Sequence, residues 1–155
     1  MHNFKELKIW QLSRELVKDV YLLTKKFPDD ERFGLTQQIR KAVVSTASNI
    51  AEGSGRRTNK DFVHFLDIAN GSAFEAETQL ILSLDLEYIS QVEFDPINEK
   101  LQMIEKMIFN FIQSLENKSL TASNPTVSNL KSHNLKSQSL TSQSLTSQIS
   151  KSQIP

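Results

Sequence analysis

Four segments of this sequence repeat large apolar residues at steps of three and four, and this spacing constrains the fold more than any other feature. An α-helix has 3.6 residues per turn, so such steps place the apolar side chains on one side of a helix. The alternation of apolar and polar residues that marks a half-buried strand is not sustained anywhere in the chain. The pattern therefore predicts an all-α protein.

Short breaks separate the four segments. Pro28 ends the first segment, because proline cannot donate a backbone hydrogen bond and disfavours helix at the residue before it. Gly53 and Gly55 end the second segment, since glycine past the last turn stops a helix. Connections of a few residues join antiparallel neighbours, so we expect an antiparallel up-down-up-down four-helix bundle.

The starts of the third and fourth segments carry capping signals. Thr58 with Asp61 resembles a capping box. Asp95 followed by Pro96 is typical of a cap and a first-turn proline, which predicts that the fourth helix starts there. The apolar residues expected to form the shared core are Ile9, Leu12, Leu16, Val20, Leu23 and Phe27; Ile39, Val43, Ala47 and Ile50; Phe62, Leu66, Ala69, Ala73, Ala76, Leu80, Leu84 and Tyr88; and Ile97, Leu101, Ile104, Ile108, Phe111 and Leu115.

The composition changes after residue 118. Residues 119–155 contain no aromatic and no acidic residue, and 15 of these 37 residues are Ser or Thr. A five-residue repeat sets four leucines in phase, but a step of five gathers them on one side of neither a helix nor a strand. We therefore expect a bundle over 1–118 and a disordered C-terminal repeat tail over 119–155, with a short pentapeptide-repeat β-helix as the alternative for the tail.

The neutral total of 18 basic and 18 acidic residues conceals two halves of opposite charge. Residues 1–60 contain 12 basic and 7 acidic residues, whereas 61–118 contain 3 basic and 11 acidic ones. In the expected bundle the two halves would form opposite sides, so the protomer would be electrically dipolar. Such units favour head-to-tail contacts that close into rings when the rotation permits, which supports the hypothesis of a ring-like homo-oligomer.

Patterns that support catalysis or metal binding are not found in the sequence. The chain has no cysteine, which excludes disulfide scaffolds, thiolate nucleophiles and cysteine-ligated metals. A di-iron bundle needs an acid-x-x-His pair on each of two helices, and only Asp61 with His64 approaches this pattern. We expect His64 to be a boundary or surface residue, and we predict a non-enzymatic protein with no cofactor and no metal.

A basic cluster around the break between the second and third segments is the best functional candidate. Guanidinium groups beside a helix N-terminus suit phosphate, through bidentate hydrogen bonds and the helix dipole. Nucleic-acid binding is therefore the candidate function of this cluster, whereas the charges taken alone favour ordinary surface salt bridges, such as Arg56 with Glu52. The predicted nucleic-acid-binding residues are Arg40, Lys41, Arg56, Arg57 and Lys60.

Polar residues lie beside the apolar stripes of the second and third helices. Buried polar groups need hydrogen-bond partners, so these residues are expected to form an internal network, and a stripe that faces water is the alternative. Gly71 lies inside the third helix, where glycine costs about 1 kcal/mol relative to alanine, and we expect a close helix approach there. The predicted network residues are Ser45, Asn49, Glu52, Glu75, Thr78 and Gln79.

No stretch of the sequence approaches the roughly 20 apolar residues that a membrane span needs. The first six residues include the charged Lys5 and Glu6 and lack the apolar run of a signal peptide. We therefore expect a cytoplasmic protein with no membrane partner.

Several strings of this sequence resemble a known family. Ser48-Asn-Ile-Ala-Glu-Gly53 and Glu77-Thr-Gln-Leu80 are the most specific, and Gly71-Ser-Ala with Glu75 adds to them. In order along the body, they resemble the four-helix-bundle proteins encoded within intervening sequences of bacterial 23S ribosomal RNA genes. The resemblance implies a cytoplasmic bundle that assembles as a ring-like homopentamer. It also implies that the residues of these strings, Gly53 and Gly71 among them, form a structural motif of the family.

A related group, the accessory variability proteins of diversity-generating retroelements, is similar in fold and binds nucleic acid and a reverse transcriptase through basic surfaces. The resemblance therefore implies that the candidate partners are the chain itself, RNA, or a protein similar to a reverse transcriptase. The alternative is a protein–protein scaffold, or a passenger protein of its locus with no nucleic-acid binding.

Overall fold

The structure, a computed structural model, describes residues 3–123, with side chains up to residue 119. Within this part the chain is all-helical, as predicted. Three short 3₁₀-helices cover Phe4–Glu6, Thr24–Lys26 and Asp29–Phe33. The four α-helices are α1 Lys8–Leu23, α2 Leu35–Ser54, α3 Asn59–Asp85 and α4 Gln91–Ser123.

Contacts between the helices confirm the antiparallel bundle. The end of the α1 segment reaches the start of α4, where Lys26 pairs with Glu93. The start of α3 contacts the later part of α4, where the Phe62 and Phe111 rings meet edge to face with centroids 5.2 Å apart. The helix α2 packs against both α1 and α3. Because α1 and α3 each lie between α2 and α4, they occupy opposite corners of the bundle.

The core largely follows the predicted apolar stripes, but two small hydroxyl residues join it and several predicted members are only half-buried. Ser13 and Thr46 are fully buried, whereas the predicted core residues Leu12 and Ala47 are only half-buried. The Ser13 hydroxyl donates to the Ile9 carbonyl oxygen at 2.7 Å, and Thr46 bonds in the same way within its own helix. A hydroxyl that returns to the preceding turn is satisfied without water, so these small residues take core positions. Leu84, Tyr88 and Phe111 are also half-buried.

The predicted start of α4 at Asp95 is wrong, because the helix begins at Gln91 and Pro96 lies inside it. Ser90 and Glu93 form the cap: a Glu93 carboxylate oxygen accepts from the Ser90 N–H at 3.0 Å and from its hydroxyl at 2.7 Å. This is the side-chain half of a capping box. Hydrogen bonds from Lys26 and then from Ser90 lower the pKa of Glu93 to about 2.

The cap of α3 is the predicted one. The Thr58 hydroxyl oxygen accepts from the Asp61 N–H at 3.1 Å and donates to the Asp61 carboxylate at 2.7 Å. It satisfies a backbone donor that has no partner inside the helix, which fixes where α3 begins after the short link from α2.

The helix α4 extends further than the expected bundle end, since it continues to Ser123. The compact unit that holds the four-helix core ends at Glu116. The expected disordered or β-helical state of the tail concerns residues 124–155 for the most part, and these lie outside the described residues. Over residues 3–123, no helix is both long enough and apolar enough to cross a lipid bilayer.

Candidate nucleic-acid interface

The five predicted nucleic-acid-binding residues fall into two groups at the two ends of α2. Arg40 and Lys41 lie near its start, and Arg56, Arg57 and Lys60 follow its end. At 1.5 Å per residue, the helix between the groups spans roughly 20 Å. The structure therefore does not bring the five residues together as one cluster.

The group after the end of α2, here called the end group, consists of Arg56, Arg57 and Lys60. Arg56 pairs with Glu52 on the preceding turn, and its guanidinium carbon lies 4.4 Å from the centroid of the Phe65 ring. Arg56 thus forms the salt bridge with Glu52 that the sequence offered as the other interpretation of this residue, and this contact holds it against the bundle. Arg57 and Lys60 are exposed, and neither forms an ion pair within residues 3–119.

At the start of α2, Arg40 and Lys41 line a surface pocket of about 340 Å³, here called the α2 pocket. The pocket is open to solvent and is formed by the end of α1, the 3₁₀-helix before α2 and the first turns of α2. Its lining residues are Tyr21, Arg32, Phe33, Thr36, Gln37, Arg40, Lys41 and Val44.

Two of the cations in the α2 pocket lie against aromatic rings. The Arg40 Nε donates to the Thr24 hydroxyl at 2.8 Å, and its guanidinium carbon lies 4.9 Å from the Tyr21 ring centroid. The Arg32 guanidinium carbon lies 5.5 Å from the Phe33 ring centroid. Within residues 3–119, Arg32, Arg40 and Lys41 form no ion pair with a carboxylate. The pocket thus combines three cations with two aromatic rings.

The nearest carboxylate before α2, that of Glu31, is occupied elsewhere. One of its oxygens accepts from the Leu35 N–H at 2.7 Å, and the other accepts from the Tyr88 hydroxyl at 3.1 Å. Burial raises the pKa of Tyr88, and the hydrogen bond with Glu31 raises it further. Gly34 leaves room for this carboxylate, because a Cβ at that position would overlap a Glu31 oxygen. Glu31 therefore fixes the turn that leads into α2.

Sequence reasoning missed Arg32, Phe33 and Tyr21 as members of a candidate site. The signal available was a large aromatic residue in a polar break: Phe33 follows Asp29-Asp-Glu-Arg32 and is 78% exposed. Its proximity to Tyr21 depends on the path of the chain between α1 and α2, which apolar periodicity does not describe.

The predicted polar network is assembled only in part. The hydroxyls of Ser45 and Ser72 share a hydrogen bond at 2.8 Å between α2 and α3, and the Asn49 side-chain amide donates to the Ser45 carbonyl oxygen at 2.8 Å. The partner on α3 is thus Ser72, not the predicted Glu75, Thr78 or Gln79.

The remaining predicted network residues bond within their own helices. The Gln79 amide donates to Glu75 at 3.1 Å, and the exposed Thr78 hydroxyl donates to the Phe74 carbonyl oxygen at 2.8 Å. Glu52 pairs with Arg56. These residues therefore do not join α2 to α3.

The two glycines of the family motif have opposite surroundings. A Cβ on Gly53 would lie 2.7 Å from ring atom Cδ2 of Phe62 and 2.7 Å from Cβ of Phe65, so this glycine permits the close approach of α2 and α3. A Cβ on Gly71 would meet nothing within 4 Å. The expectation of a close helix approach at Gly71 is therefore wrong, because this residue lies on the exposed side of α3.

The opposite side of the bundle is acidic and partly apolar. Between α3 and α4, burial and then the charge of Glu77 raise the pKa of Glu105 to about 7. One Glu105 oxygen is buried without a hydrogen bond to any described residue. The outer side of α3 exposes four large apolar residues, here called the α3 stripe: Ile68, Phe74, Ile81 and Leu82.

No group of three or more His, Cys, Asp or Glu side chains that could hold a metal ion occurs in the described part of the chain. His64 is exposed and lies against the Phe65 ring, with centroids 5.7 Å apart.

Comparison with known proteins identifies the family. The model of the family described as "23S rRNA-intervening sequence protein" matches residues 5–110. The chain belongs to this family. The chain is also similar to a solved structure from Bacteroides thetaiotaomicron, a protein of unknown function from the S23 ribosomal protein family. The TM-score is 0.62 and the identity 28%, covering 67% of this chain and 97% of that one.

The comparison with curated proteins finds no match to this chain. The matched region includes the α2 pocket, the end group and the α3 stripe.

Proposed function

We propose that this protein is a non-enzymatic bundle that assembles head to tail into a ring-like homo-oligomer and associates with structured RNA. The observation that carries the assembly is the α3 stripe. Its four large apolar side chains are each 40–50% exposed. They lie on α3, within a segment from Asp61 to Glu99 that contains nine carboxylates and no Lys or Arg. Apolar side chains grouped on an exposed helix face favour an interface with another protein surface.

A groove between α1 and α2, here called the α1–α2 groove, suits the α3 stripe. It has a volume of about 310 Å³ and is mostly apolar, with Arg14 as its one charged lining residue. Because α1 and α3 occupy opposite corners, a stripe on one protomer and a groove on the next give a heterologous contact, which closes into a ring when the rotation permits. The groove is lined by Phe4, Trp10, Arg14, Val17, Val44, Ala47, Ser48 and Ala51.

Gly71 supports an interface at the α3 stripe. A glycine inside a helix costs about 1 kcal/mol relative to alanine, and the space outside Gly71 is open within the protomer. An exposed glycine permits close approach of another helix. A neighbouring protomer at this position would therefore account for a residue that the protomer alone does not explain.

Phe74→Glu is expected to weaken assembly at least tenfold, because it places a charge in an apolar contact beside other acids. Val92→Glu is the matched control, since Val92 is 82% exposed and lies outside the stripe. Sedimentation velocity across a salt series measures both variants and the parent chain. We expect the parent assembly to weaken as salt rises. An assembly indifferent to salt would contradict the electrostatic pairing of the two sides, and equal effects of the two variants would contradict the assigned interface.

The second part of the proposal, association with structured RNA, is favoured by the unpaired cations at both ends of α2. A ring repeats each group around the assembly, so weak individual sites gain avidity. Binding dominated by phosphate contacts weakens steeply with salt. Residues 1–118 together carry a net charge of −3, so RNA would bind to the basic side of the bundle alone.

Reversing Arg57 and Lys60 to Glu together is expected to weaken RNA binding at least tenfold at low salt, because two phosphate contacts become repulsive. Fluorescence anisotropy with a labelled RNA hairpin measures the affinity, and sedimentation checks that the assembly is unchanged. Lys106→Glu, an exposed site on α4, is the matched control. If the parent chain binds RNA no more tightly than a neutral helical bundle does, the RNA association is contradicted. A protein–protein scaffold or a passenger protein would then be the better description.

A further inference from the structure

We propose that the α2 pocket binds one phosphorylated nucleotide unit, with its base stacked on Phe33 and its phosphate held by Arg32, Arg40 and Lys41. This inference rests on the proposed RNA association and names the chemical unit that it recognises. It adds a site that is distinct from the exposed cations of the end group.

The charge of the α2 pocket fits a phosphate. Arg32, Arg40 and Lys41 line one pocket and have no carboxylate partner within residues 3–119, whereas Lys26, Arg56 and Lys100 each pair with an acid. The hydrogen bond from Arg40 to Thr24 uses only its Nε. The terminal guanidinium nitrogens of Arg40 thus remain as donors, in the fork geometry that suits a phosphate.

The aromatic residues of the pocket distinguish a nucleotide from a bare anion. Phe33 is 78% exposed and Tyr21 is 43% exposed, although apolar burial usually covers such rings. Both lie beside the cations, each with a guanidinium near its ring. Exposed aromatic rings next to basic groups form the usual platform for an unpaired base, because stacking satisfies the ring while the cations hold the backbone.

Thr36 is the independent observation that points to a ligand. It lines the pocket in the first turn of α2, and its side chain is almost completely buried, with a relative exposure of 6%. Its hydroxyl oxygen has no hydrogen-bond partner among the described residues, although buried hydroxyls are normally satisfied. The N-terminus of α2, a helix of 20 residues, favours negative charge, and the Glu31 carboxylate already binds its first N–H, that of Leu35. The oxygen itself is shielded from solvent, so a rotation of the Thr36 side chain would be needed to bring the hydroxyl to a ligand oxygen.

The size and position of the pocket limit what it holds. A volume of about 340 Å³ is at the small end of the range for ligand sites, so it suits one nucleotide and not a longer stretch of RNA. The pocket precedes the α1–α2 groove along α2, and only Val44 lines both. A neighbouring protomer in the groove would therefore leave most of the pocket open. The nucleotide could be free or an unpaired unit of an RNA strand.

Binding of the full chain to AMP, to a short unstructured oligo(A) RNA and to inorganic phosphate tests the proposal by isothermal titration calorimetry. Phe33→Leu keeps an apolar side chain but removes the stacking ring, and we expect AMP and RNA to bind roughly 5- to 150-fold more weakly. Thr36→Val keeps the shape and removes the hydroxyl, and we expect a loss of roughly 2- to 10-fold. Phe109→Leu is the matched control, because Phe109 is 60% exposed on α4.

The outcomes separate the pocket from the broader RNA proposal. If AMP binds and Phe33→Leu weakens it, the pocket is supported. Oligo(A) bound in the same way identifies an unpaired strand as the source, and AMP alone identifies a free nucleotide, while the hairpin measurement separately decides the association with structured RNA. RNA binding that both pocket variants leave unchanged overturns the pocket and leaves RNA association standing. Inorganic phosphate bound as tightly as AMP overturns base stacking. If Phe33→Leu and Thr36→Val change the mass of the assembly but not the binding of AMP or RNA, the pocket is a contact between protomers. That result would also overturn the proposal.

Discussion

Gly53→Ala is expected to lower the free energy of unfolding by about 1–3 kcal/mol, although alanine is the better helix former. The added Cβ would lie 2.7 Å from Cβ of Phe65 and equally close to the Phe62 ring. Cβ of Phe65 cannot rotate away, since it is fixed by the backbone of α3. Relief of the overlap requires α2 and α3 to separate, which loosens the buried contacts around Phe62.

Gly71→Ala is the matched control, because it makes the same chemical change in open space. We expect it to raise the free energy of unfolding by about 0.5–1 kcal/mol through helix propensity alone. Urea unfolding measures both variants at a protein concentration where sedimentation shows only monomer, since assembly adds concentration-dependent stability. Equal changes in the two variants would show that the Gly53 position is not tightly packed.

Glu105→Gln is expected to change how stability depends on pH. In the folded protein, burial and then the charge of Glu77 raise the pKa of Glu105 from its ordinary 4.5 to about 7. A group with a raised folded pKa contributes its full stability below the unfolded pKa and loses it as pH rises through the folded pKa. The parent bundle should therefore lose stability between about pH 4.5 and pH 7, as the buried carboxyl ionises.

The variant removes this titration and should be more stable than the parent above pH 7, by about 1 kcal/mol. This magnitude is reduced for solvent screening, because Glu105 is only partly buried. Urea unfolding from pH 5 to pH 8.5, again on the monomer, measures the difference. Glu99→Gln, at an exposed site on the same helix, is the control and should follow the parent profile. Parallel pH profiles for the parent chain and Glu105→Gln would refute the expectation.

The helices and their antiparallel order follow from the sequence, because steps of three and four bury one side of each helix. Leu16, Leu66 and Ile104 are fully buried as predicted. The position of Ser13 in the core was not predictable from apolar periodicity, which does not count a hydroxyl satisfied by its own helix. The start of α4 was missed because a proline after an aspartate is a prominent start signal. A serine with a glutamate three residues later, as in Ser90 and Glu93, is common in sequences and stands out less.

The candidate site was only half predictable. Charge alone selected Arg40 and Lys41, but the α2 pocket also needs Phe33 from the preceding 3₁₀-helix and Tyr21 from α1. Which side chains meet there depends on the turn geometry between the two helices, and a periodic pattern contains no information on it. The partner of Ser45 was misassigned for a similar reason, since helix register decides between Ser72 and residues one to two turns further along α3.

Mixing two complementary variants tests the head-to-tail assembly most directly. Phe74→Glu disables the α3 stripe and leaves the groove intact, whereas Ser48→Glu places an acid in the groove and leaves the stripe intact; both sites are exposed or half-exposed. Sedimentation equilibrium is expected to show each variant as a monomer and their equimolar mixture as a heterodimer, because only one intact contact remains. A mixture that stays monomeric, or single variants that retain the parent mass, would contradict the assembly through these two surfaces.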